Sequence, residues 1–216
     1  NPFTGQVGYA GISSPGNAPS AITVGALRTQ DTTGRSDDRM AEYSSRGPTW
    51  FDGFAKPDVI APGHRLLGPA NITQTLYTLY PSARTTVGGR PYLRLSGTSM
   101  ASAVVAGTVA LVLEQSKSTF GAVLPPNAVK ALLQHTAFPM RDDQSAPYHG
   151  LAQGAGALNP MGAMSLAAVL NPTVPVGSSW LVSGVTPSTT VDGQNIVWGE
   201  NIVWGENIVW GEAVYT

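Results

Sequence analysis

The most apolar stretch of the chain runs from Ala101 to Leu113 and includes Val104, Val105, Ala106, Val109, Ala110, Leu111 and Val112. Ser102, Gly107 and Thr108 interrupt it, so it falls short of the 18 or so continuous apolar residues of a membrane span and reads as a buried helix. Ser96-Gly97-Thr98-Ser99-Met100 stands directly before it, placing small residues and hydroxyls where a loop becomes a helix. A serine at that junction faces the unpaired N–H groups of the first helical turn. An oxyanion forming on a bound carbonyl there meets preorganised donors and the positive end of the helix dipole. The competing reading is that Thr98 or Ser99 does no more than cap the helix.

With 216 residues, 42% of them hydrophobic and 12% charged, the chain can build one domain with a sizeable core. Its net charge of -1 supplies no basic surplus to attract nucleic acid or an acidic membrane, and no membrane span is expected. The absence of cysteine excludes a disulfide framework, a thiolate zinc site and a cysteine nucleophile, without deciding the compartment. The chain opens on Asn1-Pro2-Phe3-Thr4-Gly5, with neither an initiator methionine nor a charged-then-apolar leader, and reads as starting within a longer protein.

Residues 1–20 are rich in Gly, Pro, Ser and Asn and form a long surface loop with a turn at Pro15-Gly16. Ala21–Leu27 predicts a strand buried on both faces, as in a parallel sheet. Arg28–Arg39 is a solvated loop, strands follow at Ala41–Ser45 and Asp58–Ala61, and a short one at Tyr92–Leu95 leads into the serine turn. The first helix is expected to reach about Ser116. A second starts at Pro125-Pro126-Asn127, with Val129, Leu132 and Leu133 on one side, and a third runs from Asn159-Pro160 to Leu170. Buried strands alternating with helices argue an α/β layer structure.

After Asn171 the composition shifts to Pro, Ser and Gly, which predicts a linker over 171–194. The tail, residues 195–216, holds Asn-Ile-Val-Trp-Gly-Glu three times over, from Asn195, Asn201 and Asn207. The even period puts Ile196, Trp198, Ile202, Trp204, Ile208 and Trp210 on one strand face, and Gly-Glu between apolar runs is a hairpin signal. The repeat is a spacer or an adhesive surface for self-association, with a hexapeptide-repeat coil as a further possibility.

Several motifs agree in order with one family. Tyr43-Ser44-Ser45-Arg46-Gly47-Pro48 and Lys56-Pro57-Asp58-Val59-Ile60-Ala61-Pro62-Gly63 precede Ser96-Gly97-Thr98-Ser99-Met100-Ala101 at intervals similar to those of the subtilisin-like serine peptidases. Residues 17–26 are similar to the strand that family places after its substrate-binding loop, and 127–137 with Gly154-Ala155-Gly156 to its closing helix and turn. The resemblance covers residues 1 to about 170. It implies the carboxyl-terminal part of a catalytic domain, a parallel sheet flanked by helices, with Ser99 as nucleophile toward a protein or peptide substrate.

The same resemblance implies that Ile12, Ser13 and Ser14 belong to the rim of the main specificity pocket, with Pro15 a candidate cis-proline. No carboxylate lies in that loop, which favours a neutral, apolar substrate side chain. Ala103 and Val104 stand where family members commonly carry proline and then histidine. Proline is dispensable in a first helical turn, so the helix is expected to survive. Family members supply a triad aspartate, a triad histidine and an oxyanion asparagine from upstream segments with no counterpart here. His64, His135 and His149 fall in a loop, on the second helix and in a polar loop; Asp58 reads as structural; Asn1 is not assigned to the oxyanion hole. The chemistry needs no cofactor and no catalytic metal. The family often binds structural calcium and is secreted, which implies an extracellular location, but no calcium ligand cluster stands out. The runner-up reading is a catalytically incomplete fragment that binds or assembles through its Trp repeat.

Overall fold

The computed structural model describes residues 7–175, 177–191 and 193–198. Its centre is a small sheet of β1 (Val24–Arg28), β2 (Arg39–Met40) and β3 (Val59–Pro62), in the order β2-β1-β3. β1 and β3 run parallel, with Val24 opposite Val59 and Ala26 opposite Ala61. Alternate side chains divide between two cores: Ala26, Val59 and Ala61 enter one cluster, Leu27 and Ile60 the other. Burial on both faces accounts for the continuous apolar reading of these strands.

Ala41–Ser45, expected as a strand, turns instead, and the strand before it is confined to Arg39–Met40. The Ser44 hydroxyl accepts a hydrogen bond from the Ala26 amide at 2.9 Å, taking the place of a ladder carbonyl. The chain therefore leaves the sheet without stranding a buried donor.

Beyond β3, the polar and aromatic stretch forms an antiparallel arm of β4 (Leu66–Pro69), β5 (Arg84–Val87) and β6 (Arg90–Leu95), ordered β4-β6-β5. A short helix α1 (Thr75–Leu79) lies between β4 and β5. β6 delivers the chain to the long helix α2 (Thr98–Phe120). α2 outruns the expected end at Ser116 because its stop signal is Gly121, which takes the left-handed conformation (φ 71°) and returns its N–H to the Lys117 carbonyl at 2.9 Å.

α2 buries Ala101, Val105, Thr108, Val112 and Ser116 on the sheet. By length and composition it could cross a membrane; one face of it packs on β1 and β3. α3 (Pro126–Thr136), the short α4 (Gly150–Gln153) and α5 (Pro160–Ala167) follow, and α5 packs on both α2 and α3. Asn159 caps α5 by accepting from the Gly162 amide at 3.0 Å.

The segment read as a linker contains structure. Val182 donates to the Val169 carbonyl and Asn171 to that of Trp180, doubling the chain back, and β7 (Ser188–Val191) then pairs antiparallel with β8 (Gln194–Val197). All of β8 but Gln194 lies in the first repeat copy. Trp198, just beyond it, is 5% exposed and joins the α2/α5 core. The core extends into the first repeat copy because the indole fills it, so 194/195 is not a packing boundary. The second and third copies lie outside the described residues.

Candidate active site

Ser99 is the second residue of α2 and is exposed. Gly97 is the residue before the helix, with φ 155°, a conformation that favours glycine, and no side chain caps this helix end. Capping therefore does not occupy the Ser99 hydroxyl, and its own N–H lies in the first turn, where no intrahelical acceptor exists. Ser96 differs: its hydroxyl accepts from the Arg65 amide at 2.9 Å and fastens the loop to the start of the arm.

The loop is held from below. The Gly97 amide donates to the Gly63 carbonyl at 2.8 Å, and the Tyr43 hydroxyl donates to the same oxygen at 2.9 Å. A Cβ on Gly63 would stand 2.8 Å from the Gly97 carbonyl oxygen, 2.9 Å from Ala26 Cβ and 3.0 Å from Ala101 Cβ. Only glycine lets β3 approach the serine loop this closely. Met100 and Ala101 both donate to the Gly97 carbonyl, which closes the first turn.

None of the three histidines hydrogen-bonds to Ser99. His64 follows Gly63 and stacks on Tyr43, ring centroids 6.2 Å apart, with Nδ1 buried and unpartnered. His135 lies on α3, where burial holds its pKa below the ordinary value. His149 sits at the start of α4, its Nδ1 accepting from the Leu151 amide at 3.1 Å. Asp58 is a buried structural carboxylate that takes the Thr23 amide at 2.6 Å and Lys56 Nζ at 2.8 Å on one oxygen, and Lys130 Nζ at 3.0 Å on the other. Burial, before any charge effect, lowers the Lys56 pKa.

That cluster anchors the loop from which substrate contacts were expected. Lys130 Nζ also donates to the Pro19 and Ala21 carbonyls, Lys56 Nζ donates to Ala21, and the Thr23 hydroxyl donates to the Gly16 carbonyl. Ser13 and Ser14 are exposed on the loop, and Ser14-Pro15 is cis. Ile12 is 6% exposed and bridges to Thr49, so its side chain anchors the loop instead of facing solvent. Lys130 escaped the sequence reading because one lysine on a polar helix face carries no local sign of a partner far away in the chain.

Asp38 escaped it too, since Arg28–Arg39 reads as solvated. It is 1% exposed, and burial raises its pKa to about 6 against the opposing pull of Arg35, whose guanidinium lies 3.1 Å away but out of line for a hydrogen bond. A groove of about 1030 Å³ runs between Val7–Gly11 and Tyr43–Arg46, and Ser99 is not part of its lining. Two of its cations are already paired, Arg28 with Glu42 and Arg39 with Asp143. Among the described residues no group of three or more His, Asp or Glu side chains gathers.

The comparisons with known proteins agree with this architecture. The subtilase family model (peptidase S8) matches residues 4–163. Serine protease AprX of Bacillus subtilis (strain 168) is 38% identical over 148 residues, which is 68% of this chain and 30% of AprX. The minor extracellular protease Vpr of the same organism is 33% identical, over 62% of this chain and 15% of Vpr. The structure of the prenylagaramide maturation protease PagA superposes with a TM-score of 0.51 at 25% identity, covering 74% of this chain and 47% of PagA. The chain thus spans under a third of AprX and about half of the solved PagA chain. With the family model matching most of its length, and with the α/β sheet and the helix-borne serine behind it, the chain belongs to the subtilase family.

Proposed function

We propose that this chain carries the nucleophile of a serine endopeptidase, with Ser99 attacking the scissile carbonyl. The observation that carries the reading is an exposed, uncapped serine hydroxyl in the first turn of a long helix, with a free backbone N–H beside it. In this scheme Ser99 Oγ bonds to the carbonyl carbon and gives its proton to a base. The oxyanion is held by first-turn amide donors, the peptide nitrogen leaves with the proton, and water then cleaves the ester. The base, its carboxylate partner and the oxyanion asparagine are assigned to an upstream segment like those of the family, since no histidine among the described residues bonds to Ser99. Support comes from an α2 face left exposed at Ser102, Ala103, Ala106, Gly107, Ala110 and Leu111, of which Leu111 is 50% exposed.

Protein or peptide substrates follow from the family, and the exposed Ser13 and Ser14, with no carboxylate on their loop, favour a neutral side chain next to the scissile bond. An extracellular site of action is proposed from relatives such as the protease named minor extracellular protease. The second reading, a catalytically incomplete binding or assembly module, draws on Trp198 and the repeat. The deciding experiment supplies the upstream segment in trans and treats the mixture with a fluorophosphonate. Label mapped to Ser99 by mass spectrometry supports the peptidase reading. Label at Ser44, Ser45 or Ser96, or labelling of the 216-residue chain alone that is lost on mutating His64, His135 or His149, overturns the assignment.

A further inference from the structure

Three identical copies of one hexapeptide occupy residues 195–212, and the described structure contains a seat that one of them fills. Asn195–Val197 runs along β7, with Ile196 opposite Thr189 and Val197 opposite Ser188. Trp198 donates its backbone N–H to the Pro187 carbonyl at 2.7 Å and its indole Nε1–H to the Thr189 hydroxyl at 2.8 Å. The same hydroxyl accepts from Asn159 Nδ2 at 3.1 Å, linking the seat to the residue that caps α5. Ile196 and Trp198 turn inward and Asn195 and Val197 outward, so the seat reads Ile-x-Trp on a strand.

Residues 201–204 and 207–210 repeat the same four residues, a spacing that on an extended strand would put their Ile and Trp on one face. The four residues 195–198 recur unchanged in the other copies, while the residue before them is Gln194 in the first copy and Glu200 or Glu206 in the others. Within one chain the first copy is favoured by its tether: seating the second would lengthen the two-residue connection from Val191 to eight residues, about an eightfold entropic disadvantage. A copy from another molecule can restore the contacts that residues 195–198 give up.

We propose that the β7–Asn159 seat is an exchangeable docking site whose second occupant is another copy of this chain, inserting its residues 201–204 or 207–210. Exchange of an identical element costs little beyond association itself, and the spare copies leave each molecule able to fill a neighbour's seat. The proposal does not depend on the peptidase reading.

The cysteine-free sequence permits a direct test in the full chain. Ser188→Cys with Val197→Cys in one molecule should close to an internal disulfide across the hairpin, since the two positions face each other. Molecules with Ser188→Cys are then mixed with molecules carrying Val203→Cys, the second-copy counterpart of Val197. The mixture is held at about 0.5 mM, near the local concentration that a short tether provides, and oxidised. A covalent heterodimer, reduced at least fivefold when Trp204→Ala is added to the second molecule, is the expected result. No heterodimer, or one indifferent to Trp204→Ala, overturns the proposal. So does closure of Ser188→Cys with Val203→Cys only within single molecules, which assigns the spare copies to their own seat. Failure of the Ser188/Val197 pair to close removes the seat, and the proposal with it.

Discussion

Lys130, on α3, places its ammonium 3.0 Å from Asp58 Oδ1 just before β3, and the same nitrogen caps the Pro19 and Ala21 carbonyls. One side chain thus ties the helix layer, the sheet and the root of the Ile12–Ala21 loop together. Lys130→Met is expected to lower stability by about 1–3 kcal/mol and to loosen that loop, because Asp58 keeps Lys56 and the Thr23 amide. Asp58→Ala strands two largely buried ammonium groups and is expected to cost more, about 3–5 kcal/mol. Urea midpoints give the two costs, and amide exchange at residues 13–21 reports the loop; equal costs would show that the lysines find other partners.

Asp38 predicts a pH dependence. Its folded pKa of about 6 lies above the ordinary 3.8, so the folded state holds the proton more tightly than the unfolded chain does. The resulting stability is fully present below about pH 4 and is lost as pH rises through 6. Asp38→Asn should therefore stabilise the protein at pH 7.5, by at most about 3 kcal/mol, and flatten the stability profile between pH 4 and 6. Denaturation midpoints across that range are the measurement, and a parallel offset at all pH values would exclude Asp38 as the titrating group.

Gly63→Ala drives a methyl group into the Gly97 carbonyl and the Ala26 and Ala101 side chains. About 1–3 kcal/mol of destabilisation is expected from this overpacking. Fluorophosphonate labelling of the chain supplied with the proposed upstream segment should fall as well, since the first turn of α2 must shift. Ser96→Ala is the comparison: it removes only the Arg65 amide bond, should cost about 1 kcal/mol, and should leave the label on Ser99.

Deleting everything after Leu170 is expected to destabilise the domain, because it removes Trp198 from the α2/α5 core along with the hydroxyl that partners Asn159. Loss of a buried tryptophan costs about 3–5 kcal/mol. A chain ending after residue 198 should retain the stability of the full chain. Thermal unfolding of the two truncations against the parent checks this; equal stability of all three would show that the hairpin contributes nothing.

The start of α2, the position of Ser99 and the buried character of β1 and β3 were legible from residue order because each is coded locally, whereas the parallel pairing of those two strands was not. An apolar run, a glycine that tolerates φ 155° and two continuous buried segments are all properties of neighbours in the chain. α3 and α5 were legible for the same reason, each opening on a proline in its first turn. Ser44 shows the limit. Its hydroxyl replaces a ladder carbonyl for Ala26, a choice set by where β1 lies and not by the residues around Ser44. The Lys130–Asp58 pair, the burial of Asp38 and the seating of Trp198 against α5 likewise join residues far apart in sequence. Their energies come from excluding water around charges and an indole, and that exclusion exists only once the layers have closed.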